Sequence, residues 1–242
     1  MGMKGFKGFE KDFSCRGKQY EENTTYEEHG VGCCHKGVMH FCEDPWEVLN
    51  HYDLVDENGD FSEFAEVEAL GSVWNDGEKR ATNKIHIGAK LGFKGFLKAC
   101  INFTLEKTKY ESNGTNSSGY SAKIGSSGDY AQIGSSGDSA KIGSSGDSAK
   151  IGSSGDYAKI GSSGDYAKIN STGEDAVIMC AGRKSKAKGK KGSWITLAEW
   201  VKDEEKGLYV PVCVKTERVD GEKIKEDTYY TLKNGEFVEV EE

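Results

Sequence analysis

A nine-residue unit that repeats through the middle of the chain limits the fold more than any other feature of the sequence. Ile stands at nine-residue intervals from Ile124 to Ile178, and Ala lies two positions before each of these seven isoleucines. A flexible Gly/Ser linker has no reason to keep an apolar residue in register over seven units. We therefore expect a folded array.

Each unit combines one short strand with one corner. Ala-x-Ile alternates as a strand does, and Gly-Ser-Ser-Gly-Asp is turn chemistry, in which Gly allows positive φ and Asp bonds its own backbone. One extended unit spans about 30 Å, which cannot close a coil around two sheets that stand about 10 Å apart. Closure by two units per coil predicts a narrow β-solenoid of three to four coils with Ala, Ile and Ser inside.

The outer surface of this solenoid is expected to carry ladders of Lys and Asp. The Asp residues are out of phase with the calcium-binding nonapeptide repeat, and ice-binding Ser ladders belong to exported proteins. A scaffold or oligomerisation role is the interpretation we favour. The sequence predicts homo-oligomers that associate through a solenoid face carrying Tyr130, Tyr157 and Tyr166.

Charge and cysteine content limit the partners and the compartment. The net charge of −8 argues against nucleic-acid binding, since such proteins are basic over their contact face. No apolar run approaches the ~20 residues that cross a bilayer, and MGMKGFKGFEKDF lacks the apolar centre of a secretory signal. Seven scattered cysteines fit reduced thiols, so we expect a cytoplasmic protein without membrane contact.

The segment before the repeat, residues 1–110, is predicted to be an α+β domain. DPWEVLNHY indicates a helix with Asp44 as its N-cap and Pro45 in its first turn. FAEVEALG and NKIHIGAKL alternate as strands do. MKGFKGF is echoed by LGFKGFLKA, and we interpret the two copies as a pair of strands that meet at a sheet edge.

The densest potential chemistry in this domain is CCHKGVMHFC. Zinc is bound by Cys and His side chains, and Cys34, His35, His40 and Cys42 are the candidate ligands. Only His35 and His40 have a spacing typical of zinc sites, so buried thiols and a hydrogen-bonded histidine are the preferred interpretation. We expect no metal and no cofactor.

A second constellation is CRGKQY with the later EVE. It resembles the arginine-type ADP-ribosyltransferases, except that their Ser-Thr-Ser strand has no counterpart here. The resemblance implies that Arg16, on an early strand, holds the phosphates of NAD, and that Glu66 and Glu68 form the acidic pair whose final Glu stabilises the sugar cation. An NAD-dependent transferase is the alternative to a non-enzymatic protein.

The segments after the repeat are predicted to be a solenoid end and a small β cap, giving domains 1–110, 113–192 and 193–242. Lys233-Asn-Gly-Glu236 is a strong two-residue hairpin signal. A basic run is either an anion site or a set of outward positions in the last coil, and the two readings are compatible. The run consists of Arg183, Lys184, Lys186, Lys188, Lys190 and Lys191.

Three blocks in order resemble an uncharacterised family found in bacteriophages and prophages. They are CRGKQYEENTTYEEHG with HFCEDPWEVLNHY, the Gly/Ser/Asp/Ala repeat, and KAKGKKGSWITLAEW with VDGEKIKEDTYYTLKNGEFVEVEE. The resemblance implies origin in a bacterial host cell. We hypothesise a binding or assembly scaffold, or a host-takeover or anti-defence factor, that sequesters an anionic small molecule such as a nucleotide, or a host protein.

Overall fold

The computed structural model describes residues 2–33, 35–55, 61–108 and 116–241. The protein is mainly β, as predicted, and it divides into two compact units, Met1–Ala99 and Cys100–Glu242. No helix in the described ranges is long and apolar enough to cross a membrane.

The first unit contains a seven-stranded sheet in which every neighbouring pair is antiparallel. Its strands are β1 (Met3–Phe9), β4 (Thr24–Glu27), β5 (Met39–Cys42), β6 (Glu63–Ala69), β7 (Val73–Asp76), β8 (Lys79–Thr82) and β9 (Lys84–Leu91), with β2 (Ser14–Cys15) and β3 (Lys18–Gln19) forming a separate hairpin. The order is β4-β9-β6-β1-β5-β8-β7, so β1 lies at the centre, between β6 and β5.

Two helices are present in the described ranges, α1 (Pro45–Val48) and α2 (Phe93–Thr108). The predicted α1 is confirmed, because the side chain of Asp44 accepts the N–H of Trp46 at 2.9 Å and caps its N-terminus. The predicted pairing of MKGFKGF with LGFKGFLKA is wrong. The first copy is β1, but the second begins α2, because it continues into buried Leu97, Cys100 and Ile101 at helical spacing.

The second unit contains the predicted β-solenoid. Its strands alternate between two parallel sheets: β11 (Lys123–Ser126), β13 (Lys141–Ser144), β15 (Lys159–Ser162) and β17 (Val177–Cys180) in one, and β10 (Asn116–Ser117), β12 (Gln132–Ser135), β14 (Lys150–Ser153), β16 (Lys168–Ser171) and β18 (Lys186–Lys188) in the other. Ile124 pairs with Ile142, and Ile133 with Ile151. Each isoleucine therefore pairs with the isoleucine two units further on, which confirms two units per coil.

The solenoid interior has the predicted composition. The repeat isoleucines are buried, together with the alanines from Ala140 onward. The Ser hydroxyls also point inward, and the Oγ atoms of five of them have no hydrogen-bond partner: Ser135, Ser144, Ser153, Ser162 and Ser171. The core is thus held by a narrow apolar column beside a line of unpaired hydroxyl groups.

The corners differ from the sequence prediction. Positive φ is not adopted by the repeat glycines but by the residue after Asp, for example Tyr130 at 57° and Ser139 at 56°. Gly is needed for a different reason: a Cβ on Gly146 would lie 2.1 Å from the carbonyl oxygen of Gly128 in the preceding coil. The close stacking of coils therefore excludes any larger residue at this position.

The repeat aspartates link successive coils instead of bonding their own turns. Asp129 Oδ1 accepts the backbone N–H of Asp147 at 2.9 Å, and Asp147 Oδ1 accepts that of Asp165 at 2.7 Å. The chain of bonds reaches Arg183, whose N–H donates to Asp165 Oδ1 at 2.8 Å. The aspartate ladder is therefore a structural seam along the corners.

The predicted tyrosine face is wrong in its geometry. Tyr130 and Tyr166 precede β12 and β16 of one sheet, whereas Tyr157 precedes β15 of the other. Because each coil contains two units, positions that are three units apart, such as Tyr130 and Tyr157, fall on opposite corners. All three tyrosines are exposed, but they occupy two edges of the solenoid.

The C-terminal strands extend both solenoid sheets. They are β19 (Trp194–Asp203), β20 (Leu208–Arg218), β21 (Tyr229–Lys233) and β22 (Glu236–Val240). Strand β19 pairs with β17 and then with β20, while β21 pairs with β18 and then with β22. The predicted hairpin is confirmed, since Asn234 and Gly235 have φ of 52° and 72° between its strands.

Candidate anion-binding cavity

A cavity of about 520 Å³ lies within the first unit. It is lined by residues of β1, the β2–β3 hairpin, β5 and the segment from α1 to Tyr52. The antiparallel pairing of β1 with β5 brings residues near the start of the chain beside the strand that ends at Cys42. The cavity therefore exists only when distant parts of the sequence have paired.

Lys7 is the buried charge-bearing residue of this cavity. It is two positions from buried Phe9 on β1, so both side chains point to the same face of the strand. Only 5 % of Lys7 is exposed, and its Nζ donates to Cys15 Sγ at 3.2 Å and to the carbonyl oxygen of His40 at 3.1 Å. The amine also lies 5.5 Å from the ring centroids of Phe9 and Tyr20. Burial lowers the pKa of Lys7 below its usual value of 10.5, against the opposing effect of Cys15, and Arg16 adds to the lowering.

Cys15 and Tyr52 complete the buried group. The Cys15 Sγ lies 2.6 Å from the Tyr52 hydroxyl oxygen. Burial, reinforced by the bond to Cys15, raises the pKa of Tyr52, which favours the protonated phenol. Cys15 is aimed by the tight β2–β3 hairpin, whose turn residues Arg16 and Gly17 have φ of 53° and 77°.

The cavity wall is strongly cationic. Among the described lining residues, five are Lys or Arg and three are His, whereas one is a carboxylate. The Lys and Arg residues are Lys7, Arg16, Lys18, Lys36 and Lys79, the histidines are His35, His40 and His51, and the carboxylate is Glu28. Glu28 is already paired with Lys18. In a chain of net charge −8, this excess of basic side chains favours anions on the side of Arg16 and Lys36, whereas Glu47, Glu78 and Asp44 act on Cys42 with negative charge.

The predicted metal candidates are only partly brought together. His35, His40 and Cys42 line the cavity, while Cys34 lies outside the described residues. Burial raises the pKa of Cys42 to about 12, which disfavours the thiolate that a metal requires. Within the described ranges, no three His, Cys, Asp or Glu side chains are grouped so that they could hold a metal ion.

The residues of the transferase alternative are separated. Arg16 lies in the β2–β3 turn rather than on a strand, and it lines the cavity. Glu66 and Glu68 lie on β6, are not among the lining residues, and Glu68 Oε1 accepts the N–H of Gly2 at 2.9 Å. The structure thus does not assemble the arginine and the glutamates in one site.

The basic run of the second unit is spread over the end of the solenoid. Arg183 donates through Nε to Asp165 Oδ2 at 2.6 Å and lies 4.1 Å from the Tyr209 ring centroid. Lys190 Nζ bonds Asp227 Oδ2 at 2.7 Å, and Lys186 Nζ donates to the carbonyl oxygen of Glu241 at 2.8 Å.

Two further lysines of the run also lie beside side chains of the protein. Lys188 lies 4.9 Å from the ring centroid of Tyr229, and Lys184 lies 5.6 Å from that of Tyr166. Lys184 and Lys191 are the exposed members of the run. The outward positions of Lys186 and Lys188 on either side of buried Ala187 continue the strand alternation, as predicted.

Sequence reasoning did not identify Lys7, Cys15 and Tyr52 as a group. The available signals were weak: a lysine in a core-facing position of an aromatic strand, and a cysteine immediately before an Arg-Gly turn. Neither signal predicts a contact with the other residue, because the contact between them depends on how the strands pair.

Comparison with known families bears on this unit alone. Residues 3–99 match the model of a domain of unknown function, DUF7666, and every residue that lines the cavity falls within the matched segment. Searches of curated proteins and of solved structures gave no match. The cavity-bearing unit is therefore similar to a family described by sequence, with no function attached to that description.

Proposed function

We propose that the protein is a non-enzymatic binder of a small anionic molecule, which it holds in the cationic cavity of its first unit. The observation that carries the proposal is the excess of basic side chains among the described lining residues, where four Lys and Arg side chains besides Lys7 stand against one carboxylate. Arg16 and Lys36 form no ion pair within the described part of the chain, so their charge is available to a ligand.

The size and chemistry of the cavity suggest the ligand class. Small-molecule sites usually enclose about 300–1,000 Å³, and this cavity of about 520 Å³ suits a phosphorylated or carboxylated metabolite or a mononucleotide. Arg binds phosphate and carboxylate groups bidentately, while Lys supplies point charges. Tyr20 and Phe41 offer apolar surface beside these charges.

The solenoid has a separate part in the proposal. We assign it the role of a scaffold that associates with further copies of the chain in a bacterial cytoplasm. The family resemblance of the sequence supports a phage or prophage origin, in which retention of a host anion, such as a signalling nucleotide, would suit a host-takeover or anti-defence factor. Under this proposal a bound nucleotide, including NAD, is released unchanged.

The test compares two double variants of equal charge change. Arg16→Gln/Lys36→Gln removes cavity cations, and Lys184→Gln/Lys191→Gln removes two exposed cations of the basic run. Binding of inorganic phosphate, mononucleotides, cyclic nucleotides and ADP-ribose is measured by thermal shift and calorimetry. We expect at least one anion to bind, with affinity reduced at least tenfold by the cavity variant and unchanged by the other.

Three results would reject the proposal. Absence of binding across the panel would remove anion binding itself. Loss of affinity only in the Lys184/Lys191 variant would move the site to the basic run. Consumption of NAD by the purified protein, followed by chromatography over hours, would replace binding by catalysis.

A further inference from the structure

We infer that Cys15 is the nucleophile of the cavity, that Lys7 accepts its proton, and that the ligand is an anion carrying a reactive carbonyl group that becomes reversibly bound to the sulfur. This inference rests on the proposed anion binding and adds the chemical class of the ligand. It is independent of the basic run and of the solenoid.

The first support is the position of the sulfur. Cys15 lines the cavity, and its Sγ contacts two groups that handle protons, Lys7 Nζ at 3.2 Å and the Tyr52 hydroxyl at 2.6 Å. The three residues come from β1, β2 and the segment after α1, so the fold has brought them together from separate parts of the chain.

The second support is the environment of the lysine. Lys7 is almost fully buried, and desolvation lowers its pKa although the contact with Cys15 acts in the opposite direction. An amine whose ammonium form is disfavoured, and whose Nζ lies within hydrogen-bond distance of a thiol, can take up the proton of that thiol as a general base. Positive charge at the Arg16 turn also stabilises negative charge that develops on the sulfur or on the carbonyl oxygen.

The reaction balances without an added reactant. Sγ attacks the carbonyl carbon of the ligand, an S–C bond forms, and the thiol proton passes to Lys7 Nζ. The carbonyl π electrons move to oxygen, which takes up the proton held by Lys7. The product is a hemithioacetal, and the reverse of these steps releases the ligand unchanged, as a sequestering function requires.

Another buried cysteine shows what this arrangement adds. Cys180 lies inside the solenoid, where burial alone raises the pKa of its thiol to about 12. It has no amine beside it in the described structure, so it is expected to be inert. Cys213, a partly buried residue of β20, serves as the accessible reference thiol.

The test uses two alkylating reagents that react at the same type of carbon atom and differ in charge. Iodoacetate is an anion and iodoacetamide is neutral; each forms an S–C bond and expels iodide, while the thiol proton goes to Lys7. Alkylation of every cysteine in the folded full-length protein is timed by peptide mass spectrometry. We expect the iodoacetate-to-iodoacetamide rate ratio to be at least tenfold higher at Cys15 than at Cys213.

Variants separate the effect of Lys7 as a base from the effect of the positive charge on Arg16. Lys7→Met is expected to slow both reagents at Cys15 at least tenfold, while Arg16→Gln is expected to lower the iodoacetate-to-iodoacetamide ratio. Lys184→Gln is the charge-matched control and should leave both rates at Cys15 as they are. If Lys7→Met does not fold, as judged by circular dichroism, Arg16→Gln and Tyr52→Phe provide the comparison.

The experiment distinguishes failure of the covalent inference from failure of the proposed anion binding. If anions bind but Cys15 reacts no faster than Cys213 and shows no preference for iodoacetate, the covalent inference is wrong and the proposed function stands. If no anion binds and Cys15 shows no preference, both are wrong. A carbonyl-bearing anion such as glyoxylate should protect Cys15 from alkylation, and failure to protect would also overturn the inference.

Discussion

The Nζ atom of Lys7 lies 3.2 Å from the Sγ atom of Cys15, and both residues are buried. An amine held in this position is deprotonated more readily in the folded chain than in the unfolded chain, because its pKa is lowered from 10.5 by burial. The pH dependence of stability should report this difference directly.

Between the folded pKa of Lys7 and pH 10.5, the unfolded chain binds the extra proton, so the free energy of unfolding contributed by Lys7 rises with pH. Relative to Lys7→Met, the wild type should gain up to about 1.4 kcal/mol per pH unit in that window. Urea unfolding from pH 7 to 10.5 measures the change. Lys4→Met, on the exposed part of the same strand, is the control; parallel curves for wild type and Lys7→Met would contradict the prediction.

Coil stacking should be intolerant of a methyl group at the corner glycine. Gly146→Ala would place its Cβ 2.1 Å from the Gly128 carbonyl oxygen, and we expect it to lower the free energy of unfolding by about 3 kcal/mol. Gly152→Ala is the matched control, since the nearest atom to its Cβ is 4.0 Å away. That variant should stay within about 0.5 kcal/mol of the wild type. Equal effects of the two variants in chemical denaturation would refute the stacking argument.

The unpaired hydroxyls inside the solenoid should cost stability. Ser162 Oγ is buried without a hydrogen-bond partner, so Ser162→Ala should raise the free energy of unfolding by about 1 kcal/mol. Ser185 is the control, because its Oγ accepts the N–H of Ala167 at 3.1 Å. Ser185→Ala should lower stability by about 1 kcal/mol. Thermal and urea unfolding of the two variants should give shifts of opposite sign, and a loss at Ser162 would show that the prediction is wrong.

Whole coils should be removable, whereas half coils should not. Deleting residues 141–158 joins Ala140 to Lys159 and keeps every later strand in its own sheet, because the pairing register repeats every two units. Deleting residues 141–149 instead moves each later strand into the opposite sheet, so the C-terminal strands lose their partners. We expect cooperative thermal unfolding for the first deletion and aggregation or non-cooperative melting for the second. Similar behaviour of both would contradict the two-unit coil.

Self-association through the exposed tyrosines remains a prediction from the sequence. Replacing Tyr130, Tyr157 and Tyr166 by Ser introduces the residue that the repeat already has at Ser139 and Ser148, so folding should be unaffected. We expect a smaller assembly by light scattering coupled to size exclusion, with an unchanged melting temperature. Val212→Ser, at an exposed position of β20, is the control for general loss of apolar surface. An unchanged assembly size in the tyrosine variant would remove these residues from the interface.

Local patterns in the sequence were sufficient for the elements whose causes are local. The Ala-x-Ile register fixed the strands, their inward faces and the two-unit coil, and Asp44 with Pro45 fixed the start of α1. A short motif did not predict the structure where the residues around the motif determine it. The second GFKGF copy became helical because the residues after it form an apolar helical stripe, which the short copy itself does not contain.

The cavity, in contrast, was decided by tertiary structure. Cys15 lies 8 residues from Lys7 and 37 residues from Tyr52 along the chain, and no periodicity relates the three. They meet because β1 pairs with β5 and because the β2–β3 turn aims Cys15 inward. Each unit of the repeat pairs with the unit two positions further along the chain, so the sequence of the repeat determined the solenoid. A site formed by single residues from separate strands depends on long-range pairing, and only the folded chain determined which cations share one cavity.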